Sequence, residues 1–312
     1  MTWDVYRTSS SHNSNLGGIM IVIAGGSFAA NAFIAQFLTQ AGVSAEWVVV
    51  ARVCIAAAFF TVISIPKACL SVNDRKLGVI NAMLLLASLF TYFESIAHGA
   101  KPAQAVALMY LYPLWTLLLS RILQGTKFGL QALTASIAGA TGAALTTGFW
   151  AEDTAAGAYA GFAFAGVNGM LLAMMVYIGR SREGGSVVDG YRFARFSFLV
   201  ASAGAALYVL TTVLVRDGVT GASPKTQPVL VLILLTGLVG TALPYLLIYV
   251  GAPRVGAVGA SILLLSEPLI VVIVSLILYR SSIAPLQLFG IVLILAAGAV
   301  AFRAQRRPSE AT

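Results

Sequence analysis

Long apolar stretches separated by short polar linkers make up the chain from residue 16 onward. Ten such runs are found, at residues 16–40, 46–66, 77–98, 103–123, 128–149, 157–179, 191–215, 228–251, 255–279 and 284–302. Each is close to the about 20 residues that an α-helix needs to cross a hydrocarbon core of about 30 Å. The first run is too long for a signal-peptide core and is interpreted as a retained helix. The pattern predicts an all-α polytopic membrane protein with ten transmembrane helices.

Composition excludes a water-soluble globule. Of the 312 residues, 59% are hydrophobic and only 10% are charged, and the mean hydropathy is +0.91. Soluble domains carry about 25% charged residues, so this chain lacks the polar surface that a soluble domain of its size would need.

The basic residues are distributed unevenly between the two predicted membrane faces. With the amino terminus inside, thirteen lie at the cytoplasmic face, namely Arg7, Lys67, Arg75, Lys76, Arg121, Lys127, Arg180, Arg182, Arg192, Arg254, Arg303, Arg306 and Arg307. Four lie at the opposite face, namely Lys101, Arg216, Lys225 and Arg280. This bias follows the positive-inside rule and predicts that both termini are cytoplasmic. Orientation therefore explains the net charge of +8, and no nucleic-acid partner is expected.

The two halves of the chain resemble each other. A shift of 155 residues aligns Ala105 with Ala260, Leu108 with Leu263, Pro113 with Pro268 and Ser120 with Ser275, and Ala51-Arg52 is echoed by Ala194-Arg195. Each half holds five predicted helices, an odd number, so the second half must be inverted in the membrane. Inverted repeats are typical of secondary transporters, whose sites lie near the midplane.

The predicted units are a polar cytoplasmic tail at 1–15, a first five-helix repeat at 16–149 and an acidic external linker at 150–156. A second five-helix repeat at 157–302 and a basic cytoplasmic tail at 303–312 follow.

Several of these segments resemble one transporter family. They are the block AVGASILLLSEPL at 257–269, Gln287-Leu288-Phe289-Gly290, Gly298, Ala51-Arg52 and Tyr112-Pro113-Leu114. Together they are similar to the drug/metabolite transporter superfamily, specifically its EamA-type carriers. The resemblance covers about residues 17–302 and implies a ten-helix inverted-repeat carrier, in most cases an exporter of amino acids, metabolites or drugs. The chain departs from the family at Gly125-Thr126 and Arg280-Ser281, where the family often has a Gly-Glu pair.

Glu267 is the leading candidate for transport chemistry. It lies about halfway along the ninth predicted helix, where a carboxylate costs about 2.5–3.5 kcal/mol on insertion scales. Such a group suits proton uptake and release during transport because burial disfavours its charged form. The alternative is a neutral glutamic acid that hydrogen-bonds a neighbouring helix.

Three prolines are expected to kink membrane helices: Pro113, Pro268 and Pro244. A proline removes one backbone hydrogen bond and leaves a carbonyl free, as the discontinuous helices of transporters do at their binding sites. Tyr112 and Tyr245 adjoin two of these kinks and are candidates to line the binding site. Lipid-facing bulk is the alternative for Tyr112, and Tyr249 is expected in the interfacial aromatic belt.

Arg52, Glu94 and Asn31 complete the set of candidate site residues. Arg52 and Glu94 have comparable predicted depths in helices 2 and 3, so an ion pair between them is one interpretation. Each can instead sit near the headgroups, and Glu94 also precedes His98 by one helical turn. Asn31 is a candidate ligand contact, whereas Asn81 and Asn168 are expected to join helices by hydrogen bonds.

We therefore expect a secondary transporter, a gradient-coupled exporter of a small organic metabolite, amino acid or drug, that works by alternating access around a midplane cavity. The alternative is a membrane-embedded enzyme acting on a lipid or isoprenoid substrate. His12 and His98 are the only histidines, and HExxH, GxSxG and P-loop motifs are lacking, which favours the transporter without cofactor or metal. The expected partners are a small solute and the lipid bilayer, with monomer and homodimer both open. The compact size and the lack of a targeting extension favour a prokaryotic inner membrane.

Overall fold

The computed structural model describes residues 11–43, 45–62, 70–125, 129–151, 157–181, 187–216, 227–279 and 283–306, and in these ranges it is helical without a strand. The helices are α1 (Ser11–Gln40), α2 (Ala45–Val62), α3 (Val72–Ala97), α4 (Pro102–Met109), α5 (Tyr112–Gln124), α6 (Leu130–Thr146), α7 (Tyr159–Ser181), α8 (Val187–Arg216), α9 (Gln227–Gly237), α10 (Leu243–Val255), α11 (Ala257–Leu264), α12 (Ser266–Tyr279) and α13 (Pro285–Arg306). A π-helical segment, Leu238–Ala242, joins α9 to α10. The predicted tails and acidic linker lie outside the described residues at 1–10, 152–156 and 307–312.

Within the described residues, seven helical stretches are long and apolar enough to cross a membrane, and two shorter apolar helices, Trp47–Val62 and Pro285–Ala301, accompany them. The surface and the interior are both as expected for a protein in lipid. Large apolar side chains such as Ile277 and Leu130 are 72% and 75% exposed, while Asn81, Ser136 and Thr236 are fully buried. A surface of this kind is stable only in hydrocarbon, because in water it would be a contiguous apolar patch.

Local chemistry at the helix ends explains where several helices begin. The Ser71 hydroxyl oxygen accepts a hydrogen bond from the Asp74 backbone N–H at 2.9 Å, an N-terminal cap for α3. Before α4 and α13, glutamine side chains accept backbone N–H bonds, Gln104 from Lys101 at 3.2 Å and Gln287 from Ala284 at 3.0 Å. Proline opens both of these helices, in the first-turn position where its missing N–H costs nothing.

Three helical stretches are interrupted where the sequence has a proline. The chain leaves α4 at Met109 and begins α5 at Tyr112, with Pro113 in the first turn of α5. It leaves α11 at Leu264 and begins α12 at Ser266, just before Pro268. Pro244 opens α10 directly after the π-helical segment. Each proline therefore stands in the first turn of a new helix, where it does not remove an α-helical bond from its own segment.

Helices α6 and α13 cross at very short range through glycines. A β-carbon at Gly290 would lie 2.6 Å from the Gly142 carbonyl oxygen and 2.9 Å from the β-carbon of Leu145. Small residues allow this approach, which is the usual way that helices associate in membranes. The Gln287 amide also donates to the Thr146 carbonyl at 3.2 Å, so the contact combines packing with a polar bond.

A layer of buried aromatic rings fills the interior between α2, α8 and α10. We call Phe60, Tyr191, Phe193, Phe198, Tyr245 and Tyr249 the aromatic layer. The centroids of contacting rings are 5.0–6.0 Å apart: Phe60 contacts Tyr191 and Phe198, Tyr245 contacts Phe198 and Tyr249, and Tyr249 contacts Phe193. Most of these pairs meet edge to face, the arrangement that aromatic quadrupoles favour.

Two glycines of the same helix test the crossing of α6 and α13. The substitution Gly290→Ala is expected to destabilise the protein by about 1–3 kcal/mol, because the added methyl meets backbone atoms that cannot move aside. A β-carbon at Gly298 meets no atom within 4 Å, so Gly298→Ala should leave stability unchanged or raise it slightly. Thermal unfolding of the two variants in detergent measures the difference, and equal midpoints would contradict the crossing.

Candidate functional site

Glu267 occupies the first turn of α12, immediately after the interruption at Leu265. The N-terminal end of a helix carries unpaired N–H groups and a partial positive charge that stabilise a carboxylate. Glu267 is half-buried, and the residues before it, Ile262–Leu265, are all buried. The helix interruption thus makes an acidic group tolerable at a depth where an intact apolar helix would not accept it.

Five polar side chains from other elements share the electrostatic field of Glu267. They are Arg52 from α2, Tyr92 from α3, Tyr110 and Tyr112 from the α4–α5 interruption, and Tyr245 from α10. We refer to these residues with Glu267 as the Glu267 site. It unites a cation, a carboxyl group and four phenols in one region of a membrane protein, where polar groups are costly and generally functional.

Each of the two proline-containing interruptions, α4–α5 and α11–α12, is contacted by a glycine of another helix. A β-carbon at Gly25 of α1 would lie 3.1 Å from the Glu267 backbone nitrogen and 3.3 Å from the Leu264 carbonyl oxygen. A β-carbon at Gly169 of α7 would lie 2.9 Å from the Met109 carbonyl oxygen. Both glycines lack a side chain where the neighbouring backbone is interrupted, so the helices approach the exposed peptide groups directly.

Arg52 is held by two hydrogen bonds to the segment that precedes Pro244. Its Nε donates to Thr241 Oγ1 at 2.9 Å and its Nη2 donates to the Gly240 carbonyl at 3.2 Å. The same guanidinium interacts electrostatically with Tyr245 and Glu267. A charge in the interior is thus compensated by backbone, hydroxyl and carboxyl groups together, as buried charges require.

Asn31 lies beside this arginine contact and not against Glu267. Its side-chain oxygen accepts a hydrogen bond from the Thr236 hydroxyl, and its Cβ and Cγ occupy the space where a β-carbon of Gly240 would stand. The structure therefore connects Asn31 to the site through the π-helical segment.

The structure does not bring Glu94 and Arg52 together. Glu94 is exposed, and its carboxylate lies 3.4 Å from the His98 ring, one turn along α3. The pairing of Arg52 with Glu94 is therefore wrong, because equal depth in the membrane says nothing about which face of each helix the side chain occupies. Tyr92, two residues earlier on α3, interacts with Glu267 instead.

Tyr249 also differs from its sequence-based expectation. It is 1% exposed, and its hydroxyl accepts a hydrogen bond from the Asn81 amide at 2.6 Å, so it belongs to the interior and not to an interfacial belt. Asn168 accepts from Ser88 at 2.9 Å. The expectation that Asn81 and Asn168 join helices by hydrogen bonds is confirmed.

Sequence reasoning missed four groups at or beside the site: Tyr92, Thr236, Gly240 and Thr241. No local signal distinguishes Tyr92 from an interfacial tyrosine. The other three lie within nine residues of Pro244, and the cluster of small and hydroxyl residues before that proline is the signal that could have found them.

The arrangement can bind a solute by complementary charge and by stacking, and can exchange a proton. The guanidinium of Arg52 offers directed donors to an anionic group. The carboxyl of Glu267 accepts hydrogen bonds or a cationic group, and the phenol rings offer flat apolar faces.

Comparison with known proteins agrees with this picture. Residues 169–303 match the EamA-like transporter family, which is consistent with the drug/metabolite transporter superfamily and confirms the resemblance found in the sequence. A solved structure described as "Crystal structure of protein" superposes with a TM-score of 0.75 at 17% identity, covering 96% of this chain and 100% of the other. At that identity the likeness concerns the fold alone. A search of curated proteins gave no match. The chain is thus a multi-pass membrane protein whose residues 169–303 match the EamA-like transporter family.

The contacts of Arg52 lead to a stability prediction. Lysine has a single nitrogen and cannot reproduce the forked contact with Thr241 and Gly240, so Arg52→Lys is expected to cost about 1 kcal/mol. The thermal midpoint in detergent should fall by a few degrees. The matched control is Arg75→Lys, since Arg75 is exposed and its Nε donates to the Leu70 carbonyl at 3.1 Å. If both lysine variants unfold at the same temperature, the forked contact contributes nothing.

Proposed function

We propose that the protein is a secondary transporter that exports a small organic metabolite, amino acid or drug by alternating access around the Glu267 site. The observation that carries this proposal is the electrostatic interaction of Arg52 with Glu267 within the helix bundle. A protein that served only as a membrane anchor would gain nothing from burying both charges, whereas a carrier needs such groups to bind and release a solute.

The proposed architecture is ten membrane crossings arranged as two inverted five-helix repeats, residues 16–149 and 157–302. The seven long apolar stretches, together with α2, α6 and α13, would make the ten crossings. An acidic external linker at 150–156 would join the halves, and the tails at 1–15 and 303–312 would be cytoplasmic.

The helix contacts support a repeat, because most contacts between two helices have a counterpart between the corresponding helices of the other half. Helix α1 packs on α10 and on α11–α12, and α7 packs correspondingly on α3 and on α4–α5. Helix α2 contacts α8, its own counterpart in the other half, and α6 contacts its counterpart α13. Gly25 and Gly169 contact the two helix interruptions in the same reciprocal way.

Two side-chain hydrogen bonds show the same correspondence between the halves. On α1, the Asn31 side-chain oxygen accepts from a threonine hydroxyl of α9. On α7, the Asn168 side-chain oxygen accepts from the Ser88 hydroxyl of α3. In both cases the first helix of one proposed repeat supplies an asparagine carbonyl to the third helix of the other.

The orientation proposed from the basic residues can be tested directly. A green fluorescent protein fused after Thr312 should fluoresce in a bacterial host, and alkaline phosphatase at the same place should be inactive, because both expectations follow from a cytoplasmic carboxyl terminus. The same fusions made after Ala151, which falls in the proposed external linker, should give the opposite result. Fluorescence at both places would contradict the odd number of crossings per half.

In this orientation the aromatic layer, except Tyr245, which also belongs to the Glu267 site, would lie between that site and the cytoplasm. Phe60 is near the end of α2, Tyr191 is near the beginning of α8, and Tyr249 is in the second half of the Gln227–Val255 stretch. The Tyr191 hydroxyl donates to the Phe60 carbonyl at 2.7 Å, which ties α8 to α2. We infer that separation of these rings would open the path to the cytoplasm, and that rocking of one half against the other would open the opposite side.

Two opposite charges on one site favour a solute that carries both a cationic and an anionic group, as an amino acid does. Glu267 would also bind and release the coupling proton, so that solute and proton compete for one carboxyl group. The proposed location is the inner membrane of a prokaryote. A toxicity-rescue screen, in which the overexpressing strain is challenged with amino acids, nucleosides and drugs, would identify the solute.

The proposed role of Glu267 leads to a prediction with an internal control. The substitution Glu267→Gln keeps the side-chain shape but cannot exchange a proton, so gradient-driven transport in proteoliposomes should fall by at least about a hundredfold, within the range of general acid–base groups. Glu94→Gln removes an exposed carboxylate of the same type and should transport normally. The measurement is flux of the screened solute with and without a pH gradient.

Two results would overturn the assignment. One is pH-driven flux in Glu267→Gln equal to that of the unaltered protein. The other is loss of flux in Glu94→Gln with Glu267→Gln unaffected, which would move the coupling group to the exposed end of α3.

A further inference from the structure

The π-helical segment before Pro244 frees a backbone carbonyl in the interior. Leu243 donates its N–H to the Leu238 carbonyl, five residues back and not four. In an α-helix the Gly240 carbonyl would receive the N–H of residue 244, but proline has none. The Gly240 carbonyl therefore lacks its α-helical donor and is open to a donor from another helix.

Arg52 supplies that donor and also donates a hydrogen bond to the next residue, Thr241. Its Nη2 bonds the Gly240 carbonyl, and its Nε bonds Thr241 Oγ1. Arginine only donates, so Thr241 must accept. Its own proton goes to the Thr236 carbonyl at 2.9 Å, which leaves a lone pair of the oxygen for Nε.

The position of Thr241 is itself fixed from two sides. The residue is 1% exposed, and its bond to Thr236 spans five residues, the separation that a π turn creates. Asn31 of α1 fills the space beside Gly240 and accepts the Thr236 hydroxyl. The oxygen that receives Arg52 is thus held by α1 and by the π turn.

We propose that Thr241 is a positioning residue for transport: through Nε it fixes the guanidinium of Arg52 so that the remaining N–H groups of the arginine serve the Glu267 site. The proposal rests on the transport function proposed above for that site. Thr241 does not touch the solute; it sets the orientation of the group that does. Preorganised donors of this kind lower the cost of binding because the side chain is already ordered.

The first arm of the test needs no solute. Phenylglyoxal modifies free guanidinium groups, and mass spectrometry of the full-length protein in detergent gives a labelling rate for Arg52. Thr241→Val has nearly the shape of threonine but no acceptor, so its Arg52 should label about tenfold faster. Thr241→Ser keeps the hydroxyl and should restore the slow rate. The exposed Arg75 should label equally in all variants and reports on the reagent.

The second arm measures transport with named probes: radiolabelled leucine, glutamate and lysine, supplied singly to proteoliposomes. For any probe that the unaltered protein carries, Thr241→Val should raise KM about tenfold while kcat changes much less, and Thr241→Ser should recover KM. Thr134→Val is the control, because the exposed Thr134 hydroxyl bonds only the backbone of its own helix. A merely structural role would lower the amount of folded protein without moving KM.

The two arms separate the possible failures. Equal Arg52 labelling in Thr241→Val and the unaltered protein overturns the positioning role, whether or not a probe is carried. Faster labelling with none of the three probes carried by any form retains the positioning of Arg52 and overturns the assignment of an amino acid as the solute. Faster labelling with an unchanged KM shows that the orientation of Arg52 does not serve the binding of the solute, and overturns the proposal.

Discussion

A carboxyl group and a guanidinium inside an apolar helix bundle must be supplied with polar partners, and much of the interior is arranged to do so. An intact α-helix uses all its peptide groups internally and has none to offer. Interrupted helices do have free groups, and the interruptions occur beside the two charges. Glu267 follows one interruption at the beginning of α12, and Arg52 bonds the π-helical segment at another. The charges and these helix interruptions are therefore linked, since each charge lies beside peptide groups that an intact helix would not offer.

The helix interruptions in turn require small residues on the helices that face them. Gly25 and Gly169 each lie against an exposed backbone, and a larger residue at either place would push the facing helix away. Gly240 likewise leaves free the space that the side chain of Asn31 occupies. Glycine lowers the intrinsic stability of a helix by about 1 kcal/mol, and close packing at these positions offsets that cost. The glycines of α1, α7 and the π-helical segment are thus explained by the groups that they face.

The sequence predicts helices and interruptions well because both follow from local chemistry. The length of an apolar run predicts a membrane helix. Pro113, Pro244 and Pro268 each stand at the beginning of a new helix. What a sequence does not report is the direction in which a side chain faces. Glu94 and Tyr92 are two residues apart on α3, yet Glu94 is exposed beside His98 and Tyr92 interacts with Glu267. The contact of Arg52 with the Gly240 carbonyl was likewise not predicted, because a backbone carbonyl has no signature in the sequence except the proline that follows it.

Within the proposed repeat, the features that both halves share differ from the charged groups of the Glu267 site. The prolines, the facing glycines and the asparagine-to-hydroxyl bonds occur in both halves, so they belong to the architecture that lets the halves move. The charges do not follow the symmetry in the same way. Glu267 has Tyr112 in the corresponding place, and Arg52 bonds the π-helical segment, whereas its counterpart Arg195 interacts with Tyr191 near the beginning of α8. A site with one acid and one bonded arginine has no equivalent position in the other half. If the two halves exchange roles during transport, the solute therefore meets the same pair of charges in both conformations, and the direction of coupling depends on which side exposes that single pair.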